Sequence, residues 1–177
     1  MWLSLRPSKP SFSINYFYVP ALNTTAATNT TNSTNTTIFI DFKIKNTNKD
    51  KRVYYDALNI TLNFSSLSYS VGNAWVPAFR QGHKKTAVKR ATVEQVKIPW
   101  KEAVRNVSLN MTVDFRVDLV TAVRYKILFW KTGRHKIRFQ ADKKVDKQGK
   151  SAASDHRDHR PCFSGLLAFF LVFLTVW

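Results

Sequence analysis

Asn106-Val107-Ser108-Leu109-Asn110-Met111-Thr112-Val113-Asp114-Phe115-Arg116-Val117-Asp118-Leu119 alternates polar and apolar side chains without a break. Successive side chains of a β-strand point to opposite faces. The pattern therefore predicts one strand, with a buried row from Val107 to Leu119 and a wet row from Asn106 to Asp118. A strand covered on one face only belongs to an antiparallel sheet, because a parallel strand between two helical layers is apolar throughout. The wet row also holds Asn106-Val107-Ser108 and Asn110-Met111-Thr112, two acceptor patterns for asparagine-linked glycans.

The same alternation recurs on both sides of this stretch. Upstream, it predicts strands over Phe12–Val19, with Phe12, Ile14, Tyr16 and Tyr18 on one face, over Ile38–Asn46 and over Tyr54–Phe64. Asn46-Thr47-Asn48-Lys49-Asp50 is a turn, since Asn and Asp tolerate left-handed backbone and bond their own main chain. Val71-Gly72-Asn73-Ala74 reads as another turn, Trp75–Phe79 as a short strand that Pro77 marks as an edge, and Ala87–Val96 as a strand. Pro99–Arg105 offers at most a helical turn. Downstream, Ala122–Trp130 and His135–Asp142 form a hairpin around Lys131-Thr132-Gly133-Arg134, with Gly133 supplying a positive φ. Many short strands with little helix predict an all-β fold, an antiparallel β-sandwich of the fibronectin/immunoglobulin kind.

The chain of 177 residues suits one domain with tails: 1–10 as the end and polar exit of a longer apolar membrane segment, 11–146 as the sandwich, and 147–177 as a linker and terminal signal. Residues 23–37, rich in Thr and Asn, read as a glycan-bearing loop. Glycan acceptors stand at Asn23, Asn29, Asn32, Asn35, Asn59, Asn63, Asn106 and Asn110, eight of twelve asparagines, which points to the secretory pathway. A single cysteine, Cys162, excludes an intrachain disulfide. Gly165–Trp177 is apolar except for Thr175, follows a polar spacer, and is preceded by Ser151-Ala152-Ala153-Ser154. Small residues, a spacer and a short apolar terminus are the layout of a GPI-attachment signal, with Ser151 or Ala152 as the attachment residue.

Catalytic and cofactor chemistry is not expected. No nucleophile–base order, nucleotide-binding glycine loop or carboxylate pair stands out, and His83 and His135 read as surface side chains. Asp155-His156-Arg157-Asp158-His159 has metal-ligand types, but arginine interleaves them and no apolar shell follows, so no metal site is expected. Charge is the salient feature. The net formal charge is +17, with eight Lys/Arg against two acids from Arg80 to Arg105 and ten against two from Arg124 to Lys150. Edge lysines deter aggregation, yet the excess predicts an acidic partner. The residues expected to meet it are Lys131, Arg134, Lys136, Arg138, Lys143 and Lys144. Nucleic acid would be the default for an intracellular basic domain; glycosylated strands favour acidic wall polysaccharide or the plasma-membrane surface instead. The competing class is a stress-protective or nucleic-acid-binding basic β-domain inside the cell.

Three blocks carry a family resemblance. They are Asn46-Thr47-Asn48-Lys49 leading into Tyr54-Tyr55-Asp56, then Pro77 to Lys85 with its Gln81-Gly82-His83-Lys84-Lys85, then Val123-Arg124-Tyr125-Lys126-Ile127 through Phe129-Trp130-Lys131-Thr132. In this order they resemble the plant non-race-specific disease resistance and harpin-induced-like proteins, which carry the group-two late-embryogenesis-abundant domain. Trp2-Leu3-Ser4-Leu5-Arg6 resembles the end of that family's amino-terminal membrane segment. Thr47 departs from the family, which usually has proline there. The resemblance implies a fibronectin-like β-sandwich at the outer face of the plasma membrane, in plant immune signalling with other membrane proteins, and no catalytic residues.

Overall fold

In a computed structural model, residues 6–24, 36–64 and 70–151 are described. Two antiparallel sheets pack face to face. The first orders as β11-β1-β2-β7, from β1 (Ser11–Asn23), β2 (Ile38–Lys45), β7 (Thr86–Val93) and β11 (Gln148–Lys150). The second is built around β8 (Val113–Ile127). One side of β8 pairs with β4 (Leu58–Phe64) and then β3 (Arg52–Tyr55), and the other with β10 (His135–Val145) and β9 (Trp130–Lys131). β5 (Ser70–Val76) and β6 (Phe79–Gln81) flank β4 and β3.

The predicted alternation holds along β8, where Val113, Phe115, Val117, Leu119, Val123, Tyr125 and Ile127 are all buried. Phe115 meets Phe17 from the facing sheet at 5.6 Å between ring centroids and Phe64 at 5.5 Å. Ile38, Ile40, Phe42 and Ile44 on β2 fill the same interior.

The strand does not begin at Asn106. Trp100–Ser108 is a helix, α1, which buries Ala103 and Val107. Trp100, Ala103, Val104 and Val107 recur at i, i+3, i+4 and i+7, a helical stripe that outranks the alternation because it closes one end of the core. Asn110 ends the helix with φ 59°, Asn110 N–H donating to Val107 O at 3.1 Å and Met111 N–H to Asn106 O at 3.0 Å. These two bonds make a Schellman motif. The turn swings Leu109 and Met111 into solvent rather than into the predicted buried row.

Other segments differ for equally local reasons. In β1 the register slips between Ile14 and Tyr16, so the buried face passes from Phe12 and Ile14 to Phe17 and Val19. A bulge reverses side-chain parity, which turns Tyr16 and Tyr18 outward. The strand predicted over Tyr54–Phe64 breaks at Asp56-Ala57, although both halves pair with β8 and Asp56 N–H still donates to Ala122 O at 2.9 Å. Val71–Ala74 is strand, not turn, and Gly72 is there because a Cβ would lie 2.5 Å from Val93 Cγ1 of the facing sheet. The β8–β9 reversal falls at Leu128-Phe129, not at Gly133. Leu128 carries the positive φ, 52°, and Gly133 does not.

Candidate cationic face

Along β10 the side chains of Lys136, Arg138 and Lys144 are exposed, and Ile137, Phe139 and Ala141 lean on the core. The parity expected for Lys136 and Arg138 is therefore present. β10 pairs with β8 along its length and, apart from a single bridge between Val145 and Ser151, forms a sheet edge, where charged side chains also blunt strand-to-strand association. The register adds cations from other strands. Arg80, Tyr54 and Arg124 lie side by side across β6, β3 and β8, and Arg52, Lys126 and Lys131 form the next row.

Lys131 stands over the Tyr54 ring, its Nζ 4.3 Å from the centroid. Arg134 donates through Nε to Asp56 Oδ2 at 2.8 Å, a second guanidinium nitrogen reaches the same oxygen, and Arg124 Nη2 reaches Oδ1 at 3.3 Å. The hydrogen bond from Arg134, then that from Arg124, holds the Asp56 carboxyl below the usual carboxylate range. Among the described residues Asp56 is the single acid in this half of the sheet face, against Arg52, Arg80, Arg124, Lys126, Lys131, Arg134, Lys136 and Arg138, a local balance of 8 − 1 = +7. The other half of the same face holds Arg116 and Lys144 against Asp114, Asp118 and Asp142, a balance of 2 − 3 = −1. There Arg116 Nε bonds Asp142 Oδ1 at 2.9 Å.

The six predicted ligand residues thus separate. Lys131, Arg134, Lys136 and Arg138 stand together, with Arg134 committed to Asp56. Lys144 shares their face but lies eight residues along the strand from Lys136, about 26 Å away at roughly 3.3 Å per residue. Lys143 is not a surface cation. It points inward opposite Phe115, is only 3 % exposed, and burial lowers its pKa. The reading of both Lys143 and Lys144 as one patch fails because adjacent strand residues face opposite ways. The predicted set missed Arg124 and Lys126, although the alternation Val123-Arg124-Tyr125-Lys126-Ile127 marks both as outward. Arg52 and Arg80 reach the face only through strand pairing, which no local pattern reveals.

Of the glycan acceptors, Asn59 and Asn110 are exposed, whereas the Asn63 amide donates to Asp118 Oδ2 at 2.6 Å and that of Asn23 to the Tyr18 hydroxyl at 3.1 Å. Asn106 is half-buried on α1, not on a strand. Asn29, Asn32, Asn35 and Ala152 lie outside the described residues, as do residues 1–5 and the predicted terminal signal beyond Ser151. Ser151 itself donates its N–H to Phe17 O at 3.2 Å. Among the described residues no group of His, Cys, Asp and Glu is arranged to hold a metal, and no helix is long and apolar enough to cross a membrane.

Comparison with known proteins adds the relationships. Residues 41–142 match the family model of late embryogenesis abundant proteins. Protein NDR1 of Arabidopsis thaliana is 40 % identical over 161 residues, covering 86 % of this chain and 70 % of that protein. NDR1/HIN1-like protein 3 of Arabidopsis thaliana is 25 % identical over 150 residues, covering 82 % of this chain and 63 % of its own length. A solution structure of a late embryogenesis abundant protein superposes with a TM-score of 0.41 at 12 % identity, covering 78 % of this chain and 72 % of that one.

Proposed function

The chain belongs to the late embryogenesis abundant family, and from that premise we propose that it serves plant disease resistance as a non-enzymatic, glycosylated binding protein on the outer face of the plasma membrane. In this reading it ties that membrane to acidic wall polysaccharide and works beside other membrane proteins of immune signalling. The observation that carries the binding role is the uneven sheet face. Eight cations with one acid occupy one half, and Lys136 and Arg138 stand exposed at its edge. An extended polyanion crossing β10, β8 and β3 would meet a cation on each strand. The exposed Trp75, on β5 of the same sheet, offers flat apolar surface suited to a sugar ring.

Location rests on other features. Asn59 and Asn110 present accessible glycan acceptors, and a GPI anchor at Ser151 or Ala152 would follow directly on the last strand pairing. A plant-expressed full-length chain should shift in mobility on glycosidase treatment; no shift would favour the intracellular alternative. The binding role is tested on immobilised polygalacturonate. Wild type should be retained at low salt and released as salt rises, because exposed charges are screened beyond about 8 Å at physiological ionic strength. Lys136→Glu with Arg138→Glu should elute earlier at every salt. Equal retention of both proteins would refute the role.

A further inference from the structure

The hairpin tip is the least expected surface in the molecule. Leu128, Phe129 and Trp130 are contiguous and 74 %, 97 % and 56 % exposed. Leu128 holds a left-handed backbone conformation, φ 52°, that Gly or Asn adopts more readily than a branched apolar residue. Nothing in the core gains from these side chains, so the fold does not explain them.

Their surroundings are strongly cationic. Arg52 pairs with Lys126 beside the tip, the 46–51 loop bonds the 82–85 loop (Lys84 N–H to Asn48 O, 3.0 Å), and Asn48 Nδ2 donates to Ser8 O at 2.8 Å. Residues 6–10, 45–52, 82–85 and 126–131 therefore share one end of the sandwich. They contain ten Lys/Arg and a single acid, Asp50, which is bonded to Lys51 at 2.8 Å. The opposite end, residues 94–114 and 146–147, contains four of each sign. Two copies of so cationic an end repel each other, which argues against tip-to-tip association. The segment that enters β1 lies at this end, with the Ser8 N–H donating to Asn48 Oδ1 at 2.7 Å, and β11 runs antiparallel to β1.

We propose that the hairpin tip is a membrane-insertion loop, with Leu128, Phe129 and Trp130 entering the headgroup–acyl boundary of an anionic bilayer and the surrounding cations holding its headgroups. Indole and phenyl rings prefer that boundary, and basic side chains near an anionic leaflet are drawn to it.

The full chain, with its sole cysteine Cys162→Ser, is labelled with a polarity-sensitive fluorophore at Phe129→Cys or, as a control at the opposite end, at the exposed Leu109→Cys. Both are mixed with phosphatidylcholine vesicles with and without phosphatidylserine, and the environment of each label is read. With phosphatidylserine the label at 129 should shift blue and lose most of its emission to lipids brominated in the acyl chains, while the label at 109 stays as in water. Lys49→Glu, Lys84→Glu and Lys85→Glu together should abolish most of the shift at 129. A watery label at 129 with phosphatidylserine present, as an acidic protein partner would leave it, overturns the proposal. An equal response at 129 and 109, or one indifferent to phosphatidylserine, does so too. Polygalacturonate retention reads Lys136 and Arg138 instead, so either role can fail alone.

Discussion

The two ends of this sandwich are closed by opposite chemistry. At the helix end, α1 lays Ala103 and Val107 over the core, and acids and bases balance. At the hairpin end the seal is polar. Asn46 is fully buried, donates through Nδ2 to Lys51 O at 2.8 Å and Gly82 O at 2.9 Å, and accepts at Oδ1 from Asn48 N–H at 3.0 Å and Asn48 Nδ2 at 2.9 Å. Gln81, also buried, bonds Ile44 O, Lys85 O and the Tyr55 hydroxyl. Thr47 donates its hydroxyl to Lys9 O at 3.2 Å and so ties the entering chain to the same loop. An apolar lid tolerates modest repacking. A saturated polar clamp fixes loop backbones in one geometry while Lys49, Lys84 and Lys85 face outward, because the side chains that hold the loops are asparagines and a glutamine.

The contrast is broken most directly at Asn46. Asn46→Ala leaves two loop carbonyls and the Asn48 donors short of partners in a buried site, and should cost about 3 kcal/mol in urea unfolding. Val107→Ala at the other end removes two buried methyl groups and should cost about 2 kcal/mol. If Val107→Ala were the more damaging, the polar clamp would be an ornament of the loops and not their cause.

A smaller effect concerns Lys143, which is buried opposite Phe115 and forms no ion pair among the described residues. Its pKa is lowered by burial, so in the window just below the ordinary lysine value of 10.5 the unfolded chain binds more protons than the fold. Stability should therefore rise with pH through that window. Tyr55 and Tyr125, raised by burial, act with the opposite sign, so the informative quantity is the difference from Lys143→Met. That variant should gain roughly 1 kcal/mol at neutral pH, and the gain should shrink as pH approaches 10.5. The smallest expected change is at the tip, where Leu128→Asn should stabilise by about 0.5 kcal/mol by relieving left-handed strain.

What the sequence disclosed follows the same division. Alternation in Val113–Leu119 and Ile38–Ile44 made the sheets legible, because a half-buried strand leaves its period in the residue order. At Asn106–Thr112 two periods overlap. Val107 satisfies both, and only the position of the core decides for the helix. The bulge near Asn15 and the break at Asp56 leave no mark on composition, and a one-residue slip is enough to invert a face. Four of the eight cations on the face were named from the sequence, Lys136 and Arg138 by strand parity and Lys131 and Arg134 by their place in the hairpin turn. Arg52 and Arg80 were not, since they join it across strand pairings, and Lys143 was misplaced by counting charge without parity.

The central claim is that the position of the charge, and not its amount, selects the acidic partner. Two charge-matched variants test it on immobilised polygalacturonate: Lys136→Glu with Arg138→Glu on the cationic face, and Lys97→Glu with Lys101→Glu, both exposed, at the helix end. Each pair changes net charge equally. The face variant should elute well below physiological salt while the helix-end variant follows wild type. Equal loss in both would show that net charge alone governs retention, and would contradict the account.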